Sequence, residues 1–430
     1  MKPELLERPR VTILHYTAPP TVGGVEATIY HHARLLADGD FDVRVLAGRG
    51  ATFHPSVTFE SVEELDARHP RTLEVKRELD GGSVTARFSE LRDHIAEALW
   101  ATLQGTDVLI VHNAMTLHNH LALTAALYQL LVEKHAFSGR VLGWHHDLAW
   151  PRPDSAAELH PGYPWELLKQ PWPGVKNVVV SEPRRVQLAA LFGIDPGEVA
   201  VVPPGVDPER WLCRTDTARH IAKEYGLFDA DMILLLPARI TRRKNIELAV
   251  QVLACLRDRH RLDARLLVTG PPGPHNPANI DYLNELLAMR ESLGLEKAAL
   301  FLYEAGVDGV PFVPDDQTVA SLYALADALL FPSVEEGFGI PVLEAGITRL
   351  PVFCSCLPSM ISTGGDEAHY FRADASPAVI AGLIAKVMAS EAAFALRKRV
   401  LRNYSWERIV AERVVPLLNP RPLPDRERPS

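Results

Sequence analysis

The stretch Phe331-Pro-Ser-Val-Glu-Glu-Gly-Phe-Gly-Ile-Pro-Val-Leu-Glu344 decides the fold class. The apolar run Ala328-Leu-Leu-Phe331 leads into it as a buried strand. A glycine loop follows, and a helix begins with Pro341 in its first turn. Proline suits a helix start, because the N–H it lacks would have no intrahelical partner there. Gly337 and Gly339 allow close backbone approach to a ligand, and the free N–H groups with the helix dipole favour phosphate. Glu336 lies on the loop and Glu344 on the helix, so both carboxylates can accept hydrogen bonds from hydroxyls in one polar site. The plainer alternative is a strand–turn–helix corner with solvated glutamates.

Upstream, Pro237-Ala-Arg-Ile-Thr-Arg-Arg-Lys-Asn245 joins another strand end to another helix start. Arg239 and Lys244 sit around one turn, so a planar fork and a point charge can reach the same diphosphate. Arg242 and Arg243 are expected to be solvated turn charges. The surrounding second half alternates apolar strands at Met232–Leu236, Arg265–Thr269, Ala299–Leu302, Ala328–Phe331 and Pro351–Cys354 with helices at 245–257, 279–293, 318–326 and 341–348. The first half runs the same programme. Its strands are Val11–Tyr16, Asp42–Ala47, Val108–Val111, Arg140–Trp144 and Asn177–Val180, with a helix from Gly24 to Ala37. Such alternation implies parallel sheets covered on both faces. Two doubly wound Rossmann-like α/β domains result, at 1–200 and 201–403, joined through Val201-Val-Pro-Pro-Gly-Val-Asp207 and facing a cleft. An amphipathic helix at 404–419 is expected to cross back to the first domain. The Pro- and Arg-rich tail 420–430 is expected to be disordered.

With these elements placed, the chain resembles the retaining, GT-B-fold glycosyltransferases of family four (glycosyl transferases group 1). That family carries an E-x₇-E signature and an upstream Arg-x₄-Lys pair, matched by Glu336 with Glu344 and by Arg239 with Lys244. Its first-domain glycine loop is matched by Gly23-Gly24-Val25-Glu26, and a His-Asp at a strand end by His146-Asp147. The motifs occur in family order over nearly the whole chain. The resemblance implies that Arg239 and Lys244 neutralise a leaving diphosphate while Glu344 holds the ribose. Glu336 and the backbone of Gly337, Phe338 and Gly339 would hold the donor sugar, and Gly23 and Gly24 would let the first domain approach. Arg239, Lys244, Glu336 and His146 are the implied catalytic set. Adjacent strand-end side chains face opposite ways, so of His145 and His146 one is expected at the site, His146, and the other packed or solvated.

The rest of the sequence mostly excludes. A net charge of −9 spread over both halves is no footprint for nucleic acid or anionic lipid. No run reaches the ~18 apolar residues of a membrane span, and the start lacks an apolar leader, so a cytoplasmic location is expected. Cys354 and Cys356 share strand parity and read as a buried apolar pair. Asp38-Gly-Asp40 matches a metal-binding D-x-D, but lies where Asp and Gly are ordinary turn residues. His31, His32, His112, His118 and His120 lack the second-shell carboxylates and the spacing of a zinc site and read as surface or cleft histidines, with His112-Asn113 at a strand end where it could contact an acceptor. Trp150, Trp165 and Trp172 lie in a proline-rich loop, as a sugar-stacking platform or as packing. Retaining, metal-independent transfer of a hexosyl group from a nucleotide-diphosphate sugar to a small soluble acceptor is the expectation, with no cofactor and no metal. A same-fold epimerase or phosphorylase, or a non-catalytic sugar-nucleotide-binding subunit, are the alternatives. Donor base, acceptor and oligomeric state are not legible.

Overall fold

The computed structural model describes residues 8–306 and 310–419. The expected tail at 420–430 lies outside the described residues. The chain divides into two compact units, one running to Val206 and resuming at Tyr404, the other Asp207–Asn403.

In the first unit, seven parallel strands run in the order β3-β2-β1-β4-β5-β6-β7. They are β1 (Arg10–Thr17), β2 (Asp42–Arg49), β3 (Val57–Ser61), β4 (Val108–His112), β5 (Arg140–His145), β6 (Val175–Val179) and β7 (Ala200–Val201). Val11 pairs in register with Val43 on one side and Val108 on the other. Strand alternation sends Val11, Ile13, Val45, Ile110 and Trp144 to one face, where they meet Ile29, Ala33 and Leu36 of helix α1 (Gly24–Asp38). Ile409, Val410, Val414 and Leu418 of the returning C-terminal segment complete that core. The segment is helical with a π-type turn at Val410–Val414. On the opposite face Leu14, Leu46, Leu109 and Val111 pack on the helices Ala86–Thr102 and Leu121–Tyr128. Trp165 and Trp172 belong to this second core, each with its indole N–H donating to a backbone carbonyl. The loop tryptophans other than Trp150 are therefore packing, not a stacking platform.

Six parallel strands form the second unit, in the order β10-β9-β8-β11-β12-β13. They are β8 (Met232–Leu236), β9 (Ala264–Val268), β10 (Ala299–Phe301), β11 (Ala328–Phe331), β12 (Val352–Ser355) and β13 (His369–Phe371). Every residue of β8 and β11 is buried, as expected for central strands covered on both faces. The short strands β3, β7 and β13 lack such runs and were not legible. Cys354 is buried in β12, but Cys356 lies past the strand end and is exposed, which corrects the expected buried pair. Among the described residues no single helix is long and apolar enough to cross a membrane.

In each sheet the strand order reverses beside the first strand, between β1 and β4 and between β8 and β11. The loops leaving neighbouring strand ends there diverge to opposite faces and open a crevice, where ligands of doubly wound sheets bind.

Candidate functional site

At the switch point of the second unit two loops meet. The loop after β8 closes in a short turn, Arg242–Lys244, with Asn245 in the left-handed conformation at φ 51°. This turn swings Lys244 inward until it is 7% exposed. Its ammonium forms an ion pair with Glu336 of the loop after β11 and lies 4.7 Å from the centre of the Phe331 ring. Burial lowers the lysine pKa below its ordinary value, and Glu336 opposes that shift. Arg243 is not a free turn charge. Its guanidinium lies 3.4 Å from Glu336 and its carbonyl accepts from the Val334 N–H at 2.9 Å. Arg242 does stay on the surface, paired with Glu285 and stacked over Tyr282. Arg239, earlier in the loop, is exposed and has no hydrogen-bond or ion-pair partner among the described residues.

The glycine loop is held from behind. Ser359 Oγ donates to the Glu336 carbonyl at 2.7 Å, and Thr363 Oγ1 donates to the Phe338 carbonyl at 2.6 Å. Gly339 caps the helix Ile340–Ile347 at φ 87°, a conformation that favours glycine, and a Cβ there would sit 2.8 Å from Met360 Sδ. Gly337 has open space around its Cα, and Phe338 is exposed. Glu344 accepts from the Tyr323 hydroxyl, which burial and this carboxylate both hold in its protonated form. Sequence reasoning missed Arg243, Ser359, Thr363 and Tyr323. Only the adjacency of Arg243 to Lys244 was a signal.

At the switch point of the first unit, Gly23 and Gly24 open α1. The Glu26 carboxylate folds back against Gly23, where a Cβ would have to push it aside, and accepts from Thr17 Oγ1. His145 ends β5 and His146 follows it, with opposite fates. His145 is 1% exposed and engaged at both ring nitrogens, by Thr116 Oγ1 at 3.1 Å and Asn177 at 3.0 Å. His146 is half-buried, its N–H donating to Asn113 Oδ1 at 2.8 Å and its Nε2 lying 3.0 Å from His112 Nδ1. Asp147 turns away to an ion pair with Arg184 at 2.8 Å, so it is not the partner of the His146 ring. Burial depresses the pKa of His146 to about 3 and of His145 to about 4. His32, His112 and His120 are buried rather than surface histidines, and His118 does meet a carboxylate, Glu158, at 2.8 Å. Asp38 closes α1 and pairs with Arg34, and Asp40 follows in the turn.

The family model for Glycosyltransferase Family 4 matches residues 22–210, and that for Glycosyl transferases group 1 matches residues 218–404. The chain is 24% identical over 430 residues to the D-inositol 3-phosphate glycosyltransferase of Salinispora arenicola, covering 93% of this chain and 87% of that one. It is 27% identical over 267 residues to the mannosylglucosylglycerate synthase of Petrotoga mobilis, covering 57% and 58%. The two models meet near the boundary between the units: the whole second sheet falls within the group 1 model, and the first sheet except β1 falls within the Family 4 model. The chain thus belongs to the glycosyl transferases group 1 family and is a glycosyltransferase of the GT-B class.

Proposed function

We propose that the protein moves a hexosyl group from a nucleoside-diphosphate sugar to a hydroxyl of a small polar acceptor, with retention of anomeric configuration and without a metal ion. The observation that supports this best is the Lys244–Glu336 pair at the head of a glycine-capped helix. In this reading Lys244 and the unpartnered Arg239 face the departing diphosphate. Charge grows there as the glycosidic bond breaks, so fixed cations stabilise the transition state more than the ground state. They take the part that a divalent metal would otherwise play, while Asp38 and Asp40 remain turn residues. Glu344 would receive the ribose hydroxyls. Glu336 and the backbone of Gly337, Phe338 and Gly339 would receive the sugar, with Gly23 and Gly24 admitting the phosphates and acceptor. Retention follows if the acceptor attacks from the face the diphosphate leaves and the leaving oxygen takes the acceptor proton. His146 would orient the sugar or acceptor hydroxyls. The names of the two relatives, one built on an inositol phosphate and one on a glycerate, favour a small polar acceptor.

The deciding experiment incubates UDP-, GDP- and ADP-sugars with inositol phosphate and glycerate acceptors, with and without EDTA, and reads the fresh product by NMR. Retained configuration and an EDTA-insensitive rate are expected. An inverted product, or a loss that magnesium restores, overturns the reading.

A further inference from the structure

Four imidazoles from separate elements crowd the carboxyl end of the first sheet: His15 of β1, His32 of α1, His112 of β4 and His146 after β5. Their nitrogens constrain one another. His15 Nδ1 lies 3.0 Å from the His112 carbonyl oxygen. A carbonyl only accepts, so His15 carries a proton on Nδ1. His112 Nδ1 and His146 Nε2 lie 3.0 Å apart, and one of these two must donate.

The opposite ends of those rings decide which. His112 Nε2 is buried and reaches no partner among the described residues. A proton placed there would be a buried N–H without a protein acceptor, a costly kind of orphan. His146 is only half-buried, so a proton on its Nδ1 remains open to water or to a ligand. Both conditions are met when His112 is protonated at Nδ1 and donates. The neighbours hold this geometry. The Asn113 carboxamide fixes the His146 backbone at 2.8 Å, and Trp144 lies against His112 with ring centres 5.5 Å apart. Burial keeps both rings neutral.

We propose that His112 is a positioning residue: its Nδ1–H donates to His146 Nε2, holds His146 as the Nδ1–H tautomer, and so makes the free ring nitrogen of His146 a hydrogen-bond donor toward a substrate oxygen. This is the reverse of the tautomer that free histidine favours in water. His146 in this form cannot act as a general base through Nδ1. It selects a ligand that presents an acceptor oxygen there. The part that concerns substrate rests on the proposed role of His146; the tautomer does not.

The test uses the full chain labelled with ¹⁵N-histidine, with His146 assigned by the signals lost in His146→Gln. Long-range ¹H–¹⁵N correlations of the ring should report Nδ1–H for His146 in the wild type. They should report Nε2–H in His112→Phe and Nδ1–H again in His112→Asn, whose amide can donate from about the same place. Turnover should fall about 10- to 100-fold in His112→Phe, the usual scale for partners that orient a functional histidine, and recover most of that loss in His112→Asn. Nucleotide affinity should hold in both. An Nε2–H signal for wild-type His146 overturns the inference without either His112 variant having to fold. Equal impairment of His112→Phe and His112→Asn, with the tautomer unchanged, also overturns it by making His112 a packing residue. Full turnover in His146→Ala would instead remove the substrate role of His146, leaving the tautomer measurement to decide the rest.

Discussion

Lys244 and Glu336, 92 residues apart in the chain, form an ion pair with both side chains largely withdrawn from solvent. Each loop supplies one half of the pair, so the β8 and β11 loops are tied together at the switch point before any ligand arrives. Removing Glu336 leaves the Lys244 charge partly desolvated and unopposed, and removing Lys244 leaves Glu336 only its longer contact with Arg243.

Lys244→Ala should therefore lose both activity and stability. Turnover should fall roughly 10²–10³-fold, the scale of a lost oxyanion donor, and the loss of its buried partner, leaving Glu336 with the exposed Arg243 alone, should cost about 1–3 kcal/mol of stability. Arg239→Ala should show a similar fall in turnover with an unchanged melting temperature, because Arg239 is exposed and holds nothing in place. Kinetics and thermal melts on the two variants check this contrast. A Lys244→Ala enzyme of wild-type activity would remove the clamp from the mechanism.

The two loop glycines should separate in the same way. Gly339→Ala forces a Cβ into the left-handed region and against Met360 Sδ. It should cost about 1–2 kcal/mol from backbone strain and weaken donor binding as the helix start shifts. Gly337 has no atom near its missing Cβ. Gly337→Ala should melt like the wild type, and any loss in donor affinity would then measure how closely the ligand approaches. A stability loss in Gly337→Ala equal to that of Gly339→Ala would contradict this account.

His145→Ala and His146→Ala should fail differently. The first strips a buried ring from Thr116 and Asn177 and should cost about 2–4 kcal/mol. The second should cost less stability, since only the His112 contact is lost from a half-buried ring, and should cut turnover by roughly 10²-fold, with little change in nucleotide affinity, if its role is positioning. Titration calorimetry with nucleotide, run beside the kinetic assay, distinguishes them. Severe turnover loss in His145→Ala with a normal His146→Ala would exchange the two assignments.

Acid should unfold the first unit early. Burial chiefly holds His32 and His146 at about 3, and His120 and His145 at about 4, against an ordinary 6.5. The unfolded chain then binds protons that the folded chain refuses. Stability is whole above pH 6.5 and is lost as pH falls through the window toward those depressed values, at about 1.4 kcal/mol per group for each unit. Urea midpoints should drop sharply between pH 7.5 and 5.5. A midpoint independent of pH over that interval would show that these rings are not buried neutral.

Local chemistry made the sheets and their loops readable from the chain alone. A parallel strand covered on both faces must be apolar at every position, so Met232–Leu236 and Ala328–Phe331 announce themselves with matching bounds. Gly339 and Pro341 mark the helix start for an equally local reason, since backbone freedom and a missing N–H are properties of single residues. Period-two alternation also required His145 and His146 to part company. Which partners they would meet was beyond that rule. The Lys244–Glu336 pair, the recruitment of Arg243, and the contact of His112 with His146 each join residues from different βα units. Only the order in which strands add to a sheet brings such residues together, and no local pattern encodes it. Burial misled for the same reason: a proline-rich loop or a strand-end histidine is polar in sequence, yet Trp165 and His112 are enclosed because neighbouring helices and strands close over them. Residue type and spacing determined the elements and their loops; the packing of one βα unit on the next decided which charges pair and which imidazoles lose their water.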